Sequence, residues 1–446
     1  MNRIAGYISK PTSNAPLIIF RIIFGALMLG ALIRFWSKGW ISDLYIDPKF
    51  YFSYKYFEWI KPLGDPGMYI LFGICAISAL GIALGAFYRL SSSAFFLSFT
   101  YIELLDKTNY LNHYYFVSVV AFLLIFLPAN RRFSVDAWRK PQLSLSKTPF
   151  YNIGILKLQL CLVYFFAGLA KLNSDWLIHA QPLKIWLKMH GHLPYIGWLF
   201  DTTWLPYFFS WFGAVYDLSI PFLLLANRTR PFAYMAVIAF HVLTALLFPI
   251  GMFPFIMIGA TLIFFPPVFH ENLLKKLGEK KEFPETLLVR NSSKLIPFLF
   301  AVFIGFQILI PFRSLLYPGE LFWHEQGYRF SWRVMLMEKS GAAFFYVDGD
   351  NYKRPIEIQN RDFLTPNQEK MMATQPDMIL QYARYLQQVY EEQGIKNPKV
   401  RARVYVTLNG RPSELFIDPE VNLAELEDNW TNKNWIKPFN EEIRGI

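Results

Sequence analysis

The stretch Tyr101-Ile-Glu-Leu-Leu-Asp-Lys-Thr-Asn-Tyr-Leu-Asn-His-Tyr-Tyr115 sets Glu103, Asp106, Lys107, Asn109, Asn112 and His113 between two segments apolar enough to cross a bilayer. In hydrocarbon an ionisable group must be neutralised, paired or opened to water, so a polar cluster in that setting is a candidate functional site. Composition agrees with a membrane setting. Of 446 residues, 54% are hydrophobic, 18% aromatic and 17% charged, where a soluble chain carries about a quarter charged residues. The 44 Phe, 25 Tyr and 13 Trp fit lipid-facing segments and interfacial aromatic belts.

Outward from this stretch, apolar runs near the spanning length of roughly 17 to 25 residues recur at Pro16–Ile33, Met68–Phe87, Ser92–Leu105, Tyr114–Leu127 and Ile153–Leu169, then at Tyr207–Leu225, Phe232–Phe248, Met252–Phe265 and Leu295–Pro311. From about Arg313 the composition becomes that of a soluble domain. Ala342–Val347 is β-prone, Asp377–Glu392 has helical periodicity, and Arg401–Thr407 alternates before an Asn409-Gly410 hairpin turn and Leu415–Ile417. The expected fold is therefore an α-helical polytopic membrane protein of about nine spans, residues 1–312, with a strand-rich α+β extramembrane domain, residues 313–446.

The net charge of +11 is explained by topology. With the N-terminus cytoplasmic, one set of loops carries Arg89, then Arg131, Arg132, Arg139, Lys140 and Lys147, then Arg228 and Arg230, then Lys275, Lys276, Lys280, Lys281, Arg290 and Lys294. Nucleic-acid binding becomes unnecessary, and the C-terminal domain, Lys171 and the cluster from Asp106 to His113 fall on the outer face. Cys75 and Cys161 lie inside apolar runs and suggest no disulfide framework. No cleavage site of the usual form follows the first run, which is expected to be retained, and a bacterial inner membrane is the expected location.

Several ionisable residues carry two readings. Lys171 ends an apolar run beside Trp176; it either snorkels to the interface or is a desolvated amine able to act as a base. His113 beside Asn112 is an interfacial structural group or a catalytic one. Asp217 and His241 sit mid-span, where function is favoured over structure, and Arg21 would pair with Asp217 or Glu103. The seven histidines show neither HxxxH nor HExxH spacing, and P-loop, GxGxxG, GxSxG and CxxC patterns are absent, so no metal is expected.

Together these stretches resemble the vitamin K-dependent γ-glutamyl carboxylase family and its bacterial relatives, the horizontally transferred transmembrane domain proteins. The resemblance rests on Phe20-Arg-Ile-Ile-Phe-Gly25, Leu105-Asp-Lys-Thr-Asn-Tyr-Leu-Asn-His113, Val163-Tyr-Phe-Phe-Ala-Gly-Leu-Ala-Lys-Leu172 with Asp175-Trp176, Asp217-Leu-Ser219, Phe240-His241 and Phe248-Pro-Ile-Gly-Met-Phe253. Gly327-Tyr-Arg-Phe-Ser-Trp-Arg-Val-Met335 looks like the segment that opens the family's extramembrane domain.

The resemblance implies that Lys171 deprotonates vitamin K hydroquinone or a menaquinol. Oxygen then adds to the ring, and the resulting base removes a γ-proton from a glutamate of an exported peptide, with carbon dioxide capturing the carbanion. It places His113 and Asn112 near the reacting glutamate. Asp217, His241, Arg21, Asp106 and Met252 are left as pocket or supporting residues. Where the animal enzymes have two adjacent lysines this chain has Ala170-Lys171. A quinol epoxidase or strong-base enzyme without a peptide substrate, and a quinone-binding or transport protein, are the alternatives.

Overall fold

The computed structural model describes residues 6–279, 295–351 and 353–445. Each of the nine apolar runs falls on a helix, and these are numbered here with the longer helices that follow: α1 Ala15–Ser37, α2 Gly64–Leu84, α3 Tyr88–Leu105, α4 Asn112–Phe126, α5 Tyr151–Leu169, α6 Trp204–Leu225, α7 Arg230–Leu247, α8 Phe253–Thr261, α9 Pro267–Lys276 and α10 Leu295–Phe312. Six helices among the described residues are long and apolar enough to cross a membrane alone, namely α1, α2, α5, α6, α7 and the helix beginning at Leu295. Phe253–Phe264 and α9, bent by 115°, make a seventh if they form one broken span.

The expected count of about nine is thus reached by helices but not by complete crossings. The difference lies in α3 and α4, the hairpin holding the polar cluster. At 1.5 Å per residue, the 15 residues of α4 reach about 22 Å, short of a hydrocarbon core of about 30 Å, and serines dilute α3.

Polar motifs separate onto the two ends of the bundle. At one end β1 (Pro11–Ser13) pairs antiparallel with β2 (Lys147–Pro149), and Arg132 grips Glu279 through two bonds of 2.7 and 2.6 Å. Asp136 accepts from the backbone N–H of Phe87 and Tyr88 at 2.8 and 2.9 Å, which caps the start of α3. Arg21 is also at this end. Its guanidinium donates to the carbonyls of Ile82 and Ala83, each at 2.8 Å, and of Phe133 at 2.7 Å. A cation on the last carbonyls of α2 satisfies their lone pairs and suits the negative end of the helix. Arg21 therefore does not neutralise Asp217 or Glu103, contrary to expectation. Lys280, Lys281, Arg290 and Lys294 lie outside the described residues.

At the other end sits the C-terminal domain. Its sheet has the order β4-β3-β5-β6, with β3 (Lys339–Asp348) fully paired antiparallel to β5 (Lys399–Leu408), and β4 (Ile356–Glu357) and β6 (Glu414–Leu415) at the edges. Asn409 and Gly410 take φ of 52 and 78°, as the expected tight turn requires. Alternation in β5 buries Val400, Ala402, Val404 and Val406. Against that face packs α12 (Pro376–Glu392), preceded by α11 (Pro366–Met372), burying Ile379, Tyr382, Ala383 and Leu386. This core also takes in Phe52, Trp176, Leu183 and Leu187 from the helical half, so it crosses the junction, while most of the helix bundle packs around a separate core.

Polar locks fix the same junction. Asp175 accepts from Asn409 at 2.7 Å and, bidentately, from Arg411 at 2.6 and 2.7 Å. Burial alone would push the Asp175 carboxyl up, but Arg411 and Asn409 outweigh it and hold it below the usual carboxylate range. Asp106 caps the turn at Thr108 and accepts from Gln368 at 2.8 Å. Its role is therefore visible as a joint between the halves.

Candidate active site

Lys171 lies just beyond the C-terminus of α5, where a cation meets free helix carbonyls. Its Nζ donates to Ala167 O at 3.2 Å and to Asp217 Oδ2 on α6 at 2.7 Å. Both side chains are more than nine-tenths buried, at 8% and 7% exposure. The snorkelling alternative does not hold, because the ammonium points inward, 5.3 Å from the Trp176 ring. Trp176 is itself pinned by donation from its Nε1 to Ser210 O at 2.8 Å.

The approach of α5 to α6 depends on Gly168. A Cβ there would stand 2.8 Å from Leu218 N, closer than packing allows. The Ala-Gly-Leu-Ala-Lys sequence thus combines a close-contact residue with a base-type side chain one turn later.

The pair opens onto a cavity of about 1040 Å³ between the helical half and the C-terminal domain. Six of the residues expected at the site line it: Lys171, Asp217, Asn112, His113, His241 and Met252. Arg21 and Asp106 do not. Glu103 and Lys107, from the polar stretch at the end of α3 and the loop that follows it, do.

Asn112 and His113 form the first turn of α4. Asn112 is locked at both ends, its Oδ1 accepting from Tyr110 Oη at 3.0 Å and its Nδ2 donating to Arg333 O at 2.9 Å. The His113 ring packs against Tyr114 and Phe253, with centroids 4.6 and 5.7 Å away. Phe253 also abuts His241 at 5.8 Å, so it separates the two histidines. His241 Nε2 lies 3.0 Å from Tyr164 Oη.

Some lining residues had not been singled out. Tyr164, on α5, sits seven residues before Lys171, and both reach the same cavity. Arg329 and Arg333 come from the segment after α10, where the sequence offered a motif but no chemistry. Among the described residues no group of three or more His, Cys, Asp or Glu is placed to hold a metal ion.

Residues 9–269 match the HTTM domain family, and residues 292–442 match the vitamin K-dependent gamma-carboxylase, lumenal domain. The chain belongs to the vitamin K-dependent carboxylase family. It is an integral membrane, carboxylase-like protein, and the family implies vitamin K hydroquinone, oxygen and carbon dioxide as co-substrates and glutamate-containing proteins as substrates. The lumenal-domain match begins ahead of α10, so that helix falls within it. No solved structure matches the chain.

Proposed function

We propose that the protein oxygenates a quinol and couples that reaction to γ-carboxylation of glutamate in an exported peptide. The observation that carries this is the placement of the buried Lys171–Asp217 pair and the Asn112–His113 turn on one cavity. The cavity suits a ring with an apolar tail. Phe95, Phe99, Val163, Phe240 and Ile256 supply apolar wall, and the few polar groups converge between them.

Vitamin K hydroquinone, as substrate, supplies on reaction with oxygen a base stronger than any side chain. The residues of this chain prepare and protect that chemistry. Asp217 Oδ2 accepts from Nζ at 2.7 Å and holds the Lys171 side chain at the cavity, where it serves as the base for a quinol hydroxyl. Tyr164 and His241 offer a hydroxyl and a ring nitrogen to the same cavity. Asn112 is held by two hydrogen bonds and serves as an oriented dipole, while the His113 ring, which makes no hydrogen bond among the described residues, is left to the glutamate. Exclusion of water protects a carbanion from protonation.

In this reading the N-terminus is cytoplasmic and the C-terminal domain faces outward across a bacterial inner membrane, supported by the Lys/Arg bias of the loops away from that domain. The test is an epoxide assay with vitamin K hydroquinone and oxygen on wild type and Lys171→Ala side by side. Wild type is expected to form epoxide and the variant none. No epoxide from wild type overturns the proposal. Epoxide without added carbon dioxide on any glutamyl peptide reduces it to a quinol epoxidase.

A further inference from the structure

Part of the cavity wall is built from the segment 328–337 and the loop between α3 and α4. The backbone there is strained, with φ of 60, 57 and 52° at Phe330, Trp332 and Met335. Such conformations cost on the order of 1–3 kcal/mol each and persist only where the surroundings impose them. Here the surroundings do. Trp332 is buried with its ring stacked 4.8 Å from Tyr115, and Phe330 N donates to Tyr110 Oη at 2.7 Å. The result is to hold Arg329 and Arg333 at the cavity.

Charge on this wall does not balance. Asp377 Oδ2 accepts from both Lys107 Nζ at 2.7 Å and Arg329 Nη1 at 2.8 Å. Arg333 is buried, with Nη2 3.5 Å from Ser314 Oγ and no acceptor for Nε or Nη1 among the described residues. Two of these cations thus share one hydrogen-bonded carboxylate and the third has none, while Glu325 and Glu320 act on Arg329 and Arg333 only at longer range. Elsewhere on the lining, Lys171 is paired with Asp217, Glu325 is paired with Lys339 behind the wall at 2.9 Å, and Glu103 and Asp43 add carboxyls against the single cation Arg34. A clamp between the two halves needs only one cation per carboxylate, and surplus buried cations are costly until an anion arrives.

We propose that this wall is the carboxylate-binding subsite, in which Arg329 with Lys107 takes the side-chain carboxylate of a glutamyl peptide and turns its γ-carbon toward Asn112 and His113. The adjacency is set by Asn112 itself, which bonds the backbone of Arg333. Only the identity of the anion as a glutamyl side chain rests on the function proposed above. Arg329 is a binding residue here, since its guanidinium already has two fixed partners, Asp377 and Gln375, that orient it.

The test is direct binding of a fluorescent peptide containing either Glu or Gln to the full chain in lipid nanodiscs, without quinol. Wild type is expected to prefer the Glu peptide. Arg329→Gln should weaken Glu-peptide binding about tenfold and Arg329→Lys should recover most of it. Asp377→Asn, which breaks the clamp yet keeps both cations and the Gln375 bond that orients Arg329, should weaken it far less. Equal affinity of wild type for the two peptides, or equal losses in Arg329→Gln and Asp377→Asn tracking a common fall in thermal stability, overturns the subsite. Epoxide formation is measured in parallel on wild type. Arg329-dependent binding without epoxide leaves this subsite standing and removes the proposed function; epoxide with Arg329-independent binding does the reverse.

Discussion

Removing Lys171 alone confuses catalysis with folding, and the pair geometry shows how to separate them. At 2.7 Å and an effective dielectric constant of about 20, the gross attraction is on the order of 6 kcal/mol, most of it offset by stripping water from two buried charges. Lys171→Met leaves Asp217 buried and unpaired, and Asp217→Asn leaves the ammonium so. Each is expected to destabilise by about 3–5 kcal/mol, whereas the double variant, with neither charge, should recover most of that loss. Thermal unfolding in detergent reads the stability and quinone-epoxide formation reads the chemistry. If Lys171 is the base, the double variant is as stable as wild type but forms no epoxide. A stable double variant that still forms epoxide would falsify the assignment, and single variants of unchanged stability would refute the buried-pair argument behind it.

Three other outcomes follow from the geometry. His113→Ala removes no hydrogen bond among the described residues and only the ring packing on Tyr114 and Phe253, so stability should fall less than in the Lys171 or Asp217 single variants while carboxylation falls far more than epoxide formation; parallel loss of both would move His113 into the quinol half of the reaction. Gly168→Ala forces a methyl to 2.8 Å from Leu218 N, and an overpacking cost of about 1–3 kcal/mol should appear as a lower melting temperature, while an unchanged value would mean that α5 and α6 separate freely. Acid should loosen the C-terminal domain. Asp175 is held below the ordinary carboxylate range, and so is Asp377, where burial is outweighed by Arg329 and Lys107. A depressed carboxyl contributes stability above its unfolded value of about 3.9 and loses it as pH falls through the folded value. Limited proteolysis between the halves should therefore rise below about pH 4, and Asp175→Asn should remove part of that response.

The sequence made the helices legible because each apolar run is its own signal, and the sheet legible because Arg401–Thr407 alternates and Asn409-Gly410 can hardly be anything but a turn. Completeness of spanning was less visible, since a window of hydropathy does not register that α4 opens on Asn112 and His113 and so stops short. Within the site, Lys171 and Asp217 stood out as charges in apolar surroundings, but not as partners. Forty-six residues separate them, and what joins them is the packing of α5 on α6 at Gly168, a three-dimensional fact. Arg21 illustrates the converse. Its isolation in an apolar run suggested the site, yet the partners it finds are backbone carbonyls, which every sequence contains and none advertises.

The position of the cavity also bears on why the two halves are fused by shared packing. On the proposed reading one substrate is dissolved in the bilayer and the other is a peptide in water, and neither phase can supply both. A site buried in the helices would exclude the peptide, and one on the C-terminal domain would expose a carbanion to water. The junction solves this only if its alignment is rigid. Leu183 and Leu187 share a core with Phe345 and Val404, and Asp175, Asp106 and Lys107 each reach across to the C-terminal domain. Two of those three residues come from the same short loop that leads into Asn112 and His113. Loss of docking therefore displaces the candidate site itself, and a variant that frees the domain, such as Asp175→Asn with Asp106→Asn, should lose carboxylation well before the helices unfold.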